Sequence, residues 1–107
     1  GDRGLVPTYL LFASLTPQGV RNLLATPERV HEVNREIEHL GGQVIRQWAL
    51  LGPYDFLTVV EAPDAATIAQ IAVEVASRGS AALRTLAAIP VEDLIESLDE
   101  VASDPEP

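Results

Sequence analysis

Residues 43–61, QVIRQWALLGPYDFLTVVE, decide the fold of this chain. Two runs, 43–51 and 54–61, flank Gly52-Pro53 and are rich in Val, Ile, Trp, Tyr, Phe and Thr. Such side chains suit a pleated, half-buried surface, and a glycine–proline step between two of these runs reads as the turn of an antiparallel hairpin. On either side of the hairpin lies helical sequence, and beyond that another strand.

Upstream, Val30, Val33, Ile37 and Leu40 recur at i, i+3, i+7 and i+10, a single apolar stripe on a helix. Glu32, Arg35, Glu36, Glu38 and His39 cover its outer face, and Gly41-Gly42 ends it. Thr26-Pro27-Glu28 is its expected start, a hydroxyl N-cap followed by proline at the first helical position. The same signal at Thr16-Pro17 opens a shorter helix over 18–24. Before that, TYLLFASL (8–15) reads as a strand.

Downstream, Pro63-Asp64 opens a helix whose expected buried stripe is Ala65, Ile68, Ile71, Ala72 and Val75, closed by Ser77-Arg78-Gly79. ALRTLAAI (82–89) is a fourth strand, stopped by Pro90, which cannot donate to a ladder. A last helix over 91–101 sets Val91, Leu94, Ile95, Leu98 and Val101 on one side. Glu92, Asp93, Glu96, Asp99 and Glu100 lie on the other.

The order β-α-β-β-α-β defines a ferredoxin-like α+β sandwich with a four-stranded antiparallel sheet, here with an extra C-terminal helix. At 107 residues there is room for one domain, expected over 7–102, with disordered segments at 1–6 and 103–107.

Charge and composition exclude several functions. The formal net charge is −9, with 16 acidic residues against 7 basic ones, all arginine. Nucleic acid and anionic membranes are therefore poor partners. Without cysteine there is no disulfide, thiolate nucleophile or zinc–thiolate site. No apolar run reaches the ~20 residues that span a bilayer, and a cytoplasmic location is expected. Gly41-Gly42 lacks the Lys-Ser/Thr of a phosphate loop. His31 and His39 lie eight residues apart, ~12 Å along a helix, too far to share a metal. Neither a cofactor nor a metal is expected.

In a β-α-β-β-α-β unit both crossover helices cover one face of the sheet, so the other should be polar. Here both alternating faces carry large apolar residues: Tyr9 and Leu11 against Leu10 and Phe12, Phe56 and Val60 against Leu57 and Val59. A homo-oligomer paired through the second face is the expectation. Burying about 600 Å² per subunit would contribute about 15 kcal/mol before association costs. The alternative is a terminal helix folded back over that face.

Five residues are the candidate ligand site: Arg46, Trp48, Tyr54, Asp55 and Arg84. Arg46 and Trp48 alternate onto one face of their strand, and an arginine within an apolar sheet needs a partner. That partner is either Asp55 or the carboxylate or phosphate of a ligand, which a guanidinium grips through two parallel hydrogen bonds. Asp55 can instead accept backbone N–H groups at the turn.

The stretches Pro7-Thr8-Tyr9-Leu10-Leu11, Leu15-Thr16-Pro17-Gln18-Gly19-Val20-Arg21 and Gly52-Pro53-Tyr54-Asp55 resemble the GYD-domain family over about residues 7–95. Proline here separates the glycine from Tyr54-Asp55. The resemblance implies the dimeric α/β-barrel type, in which two ferredoxin-like sheets pack face to face. Members of that wider group include cofactor-free monooxygenases, isomerases, heme enzymes and ligand-sensing domains, and fold alone does not choose among them. The favoured reading is a homo-oligomeric binding or assembly module for a small molecule or protein partner. The alternative is a cofactor-independent enzyme, monooxygenase- or isomerase-like, acting on an apolar or aromatic substrate.

Overall fold

Thr16 shows how local chemistry sets the architecture. Its hydroxyl accepts a hydrogen bond from the Gly19 N–H at 3.1 Å and donates to the Gly79 carbonyl at 2.7 Å. One side chain thus caps a helix and ties it to a turn 63 residues away. The computed structural model describes residues 6–103. Strand β1 (Thr8–Leu15) leads into helix α1 (Pro17–Ala25) and helix α2 (Arg29–His39). Strands β2 (Gln43–Ala49) and β3 (Phe56–Glu61) form the hairpin. Helix α3 (Ala65–Ala76), strand β4 (Ala81–Ala88) and helix α4 (Val91–Ser103) complete the chain.

The sheet order is β2-β3-β1-β4, and all three pairings are antiparallel. The fold is the expected ferredoxin-like α+β arrangement. Leu11 pairs with Thr58, and Tyr9 with Val60 on one side and Ala87 on the other. These residues face the helices. The core comprises Tyr9, Leu11, Ile37, Val60, Ala62, Ile68, Ile71 and Val75. Ile71 and Val60 have no exposed surface, and burying each contributes about 1.5–3 kcal/mol.

Several expected boundaries move for local reasons. Thr26 does not cap α2: Thr26 ends α1, the segment 26–29 forms a turn closed by Arg29 N–H on the Thr26 carbonyl at 3.0 Å, and α2 begins at Arg29. At the other end of α2, Gly41 takes φ +109°, and the Gly42 N–H reaches the Ile37 carbonyl at 3.0 Å. That is the left-handed stop for which glycine is suited. Both hairpin strands are shorter than expected, so residues 50–55 form the connection instead of Gly52-Pro53 alone. Ala65, expected in the α3 stripe, is exposed; Ile68, Ile71 and Val75 carry the burial.

Helix α4 has the apolar stripe read from its sequence, and the described residues leave that stripe exposed. Val91, Leu94, Ile95, Leu98 and Val101 are 43–73% exposed, and no residue of α4 up to Ala102 is buried. The helix does not fold back over the second sheet face.

Candidate functional site

Cross-strand pairing places two transverse rows on the sheet face away from the helices. One runs Trp48–Leu57–Phe12–Arg84 across all four strands, and the other runs Arg46–Val59–Leu10–Leu86. Leu10, Phe12, Leu57 and Val59 are partly buried in the middle of the sheet, while Trp48 and Leu86 at its edges are 45% and 47% exposed. The open face is thus largely apolar, flanked by two arginines.

A one-residue irregularity creates this arrangement. Between Val44 and Arg46 the β2–β3 register shifts. Strict alternation from inward-facing Val44 would send Arg46 and Trp48 toward the helices and Gln47 outward. The extra residue, Ile45, reverses the phase: Arg46 and Trp48 face out and Gln47 faces in. The Arg46 guanidinium then lies 5.9 Å from the centroid of the Trp48 ring, a cation–π contact.

Tyr54 joins the same face, its ring 4.9 Å from that of Phe12 and tilted by 45°. Asp55 is used differently. Its Oδ2 accepts the Leu15 N–H at 2.8 Å, its own N–H donates to the Ala13 carbonyl at 2.8 Å, and its carbonyl accepts the Leu50 N–H at 2.8 Å. Asp55 therefore fastens the 50–55 connection to the end of β1 and is not the partner of either arginine. Among the described residues no carboxylate pairs with Arg46 or Arg84. The structure brings Arg46, Trp48, Tyr54 and Arg84 onto the open face and gives Asp55 a backbone-fastening role.

A second feature lies on the opposite side of the sheet. Between the sheet and helices α1, α2 and α3 is a cavity of about 300 Å³, and none of the five candidate residues lines it. Gln47 and Thr58 line it and are joined to Asn34 in a network of three side chains. Asn34 donates to the Gln47 carbonyl oxygen at 2.9 Å, and Gln47 donates to Asn34 Oδ1 at 3.0 Å and to Thr58 Oγ1 at 2.8 Å. Thr58 is buried. Sequence reasoning missed this trio. The signals were a polar residue beside the α2 stripe (Asn34), one alternating with Arg46 and Trp48 (Gln47), and one inside an apolar run (Thr58), which become a group only once the bulge turns Gln47 inward.

Helix α2 and the α3–β4 turn also meet at this cavity, where Arg78 forms an ion pair with Glu36. His31, by contrast, is exposed and 3.7 Å from Glu28 on the outer face of α2. Among the described residues no group of three or more His, Asp or Glu side chains is placed to hold a metal ion.

Comparison with known proteins supplies further findings. A protein of Thermus thermophilus, named glutamine synthetase and cystathionine beta-lyase binding protein, is 51% identical over 94 residues, covering 87% of this chain and 99% of the relative. No solved structure gave a significant match. The family model described as the GYD domain matches residues 9–98. With nearly the whole described fold matched, the chain belongs to the GYD domain family.

Proposed function

We propose that this chain is a small homodimeric binding protein that docks on enzymes of amino-acid metabolism, of the kind for which its Thermus relative is named. The observation that carries the reading is that relative's 51% identity over 99% of its own length and 87% of this chain. The structure supports it with two apolar surfaces that the described residues leave uncovered, the open sheet face and the α4 stripe.

The two surfaces serve different partners. The open face is broad and has few charges beyond Arg46 and Arg84 at its edges, which suits a second copy packed sheet to sheet. Helix α4 carries five carboxylates on its polar side (Glu92, Asp93, Glu96, Asp99 and Glu100) and no basic residue. An isolated 13-residue helix is marginal in water and gains most of its stability by laying its apolar side into a groove. The enzyme partner supplies that groove.

The test is a binding titration of the chain against purified glutamine synthetase and cystathionine β-lyase from its own source. Saturable binding to at least one enzyme, lost in a Leu94→Asp/Leu98→Asp variant, is the expected result. An absence of binding to both, or undiminished binding by the variant, contradicts the proposal.

A further inference from the structure

From the cavity under the helices we infer a binding site for a free α-amino acid with an aliphatic side chain. This inference is independent of the protein-docking reading. Protein interiors ordinarily pack without gaps larger than a water molecule. Here a cleft of about 300 Å³, open to solvent on one side, enters beside a core of eight buried apolar residues among those described. Its walls are mostly hydrocarbon, with Leu11, Leu23, Val33, Phe56, Val75 and Leu83 among them. An apolar space of this size, with a few placed polar groups, fits a small-molecule pocket.

The charges at its mouth select the ligand. Arg78 pairs with Glu36 across the gap between α3 and α2, and Arg29 lies 3.5 Å from Glu32 on α2. All four residues line the cavity. An anion gripping an arginine there would leave a glutamate without its partner, and a cation would do the reverse. A zwitterion satisfies both: its carboxylate takes the guanidinium and its ammonium takes the carboxylate. The aliphatic side chain then enters the apolar space.

Thermal unfolding of the full chain in the presence of L-leucine or L-methionine tests the inference. Isocaproate and isoamylamine, which keep the leucine side chain but carry one charge each, are the controls. At 100 times its Kd, leucine or methionine raises the melting temperature by roughly 10 °C, and the single-charge analogues at equal concentration do not. Glu36→Gln and Arg78→Gln, both at the solvent-facing mouth, each weaken the affinity by roughly tenfold or more, which cuts the shift at the same ligand concentration to about half or less. Ala13→Leu, which fills the cavity from β1, abolishes it. The inference is overturned if neither amino acid moves the melting temperature or if either analogue shifts it equally. A full response surviving in Glu36→Gln and Arg78→Gln overturns it as well.

Discussion

The side-chain amides of Asn34 and Gln47 face each other between α2 and β2 and exchange two hydrogen bonds, at 2.9 and 3.0 Å. The pair joins the first crossover to the sheet edge and anchors the strand in the phase that follows the Ile45 irregularity. With Gln47 held inward, Arg46 and Trp48 have only the open face to occupy. One interior amide pair therefore governs what the opposite surface presents.

Replacing Gln47 by leucine removes three hydrogen bonds and leaves Asn34 and Thr58 poorly satisfied inside the protein. The expected cost is about 2 kcal/mol in urea unfolding. A neutral result would mean that water serves these groups equally well and that the network does not anchor β2.

Phe12 sits in the middle of the row Trp48–Leu57–Phe12–Arg84, where a sheet-to-sheet dimer would bury it. Phe12→Asp places a charge in that interface. Light scattering on the unaltered chain is expected to give twice the 11.5 kDa chain mass, and the variant a single chain mass with its circular dichroism retained. A monomeric parent protein would refute the paired sheets.

Gly19 packs α1 directly against the 79–81 turn, where a Cβ would overlap the Ser80 carbonyl. Gly19→Ala must push the helix away and strain the Thr16 contacts. A loss of about 1–3 kcal/mol is expected from this overpacking. By contrast, Val73→Ala, on an exposed position of α3, should change stability little.

Asp64 caps α3 by accepting from the Thr67 N–H at 2.9 Å and from the Thr67 hydroxyl at 2.8 Å. These bonds, the backbone one foremost, hold its carboxyl below the usual value of 3.8. A carboxylate whose folded pKa is depressed adds stability that is complete above its unfolded value and is lost as the pH falls through the folded one. Stability measured from pH 5 downward should thus show a loss beginning near 3.8 that is smaller in Asp64→Asn, which keeps a capping oxygen but does not titrate. Identical acid limbs for the two proteins would remove Asp64 from the account.

Much of the fold was legible because the signals were local. β1 was read at its true limits from an eight-residue β-rich run, and the buried stripes of α2 and α3 from helical spacing. The site was harder, because its decisive features are not local. No glycine or other marker at Ile45 announces the bulge, yet that residue determines which side of the sheet receives Arg46, Trp48 and Gln47. Asp55 was legible as a backbone acceptor near a turn, but its donor, Leu15, is 40 residues away. The α4 stripe was plain in the sequence, whereas its exposure depends on how the chain leaves β4 at Ile89-Pro90.

Light scattering on a mixture of this chain with purified glutamine synthetase from the same source, run beside each component alone, tests the central claim most directly. The account predicts a species heavier than the enzyme alone by whole dimers of this chain, and its disappearance in Leu94→Asp/Leu98→Asp. Separate elution of the two proteins at micromolar concentration, repeated with cystathionine β-lyase, would contradict it.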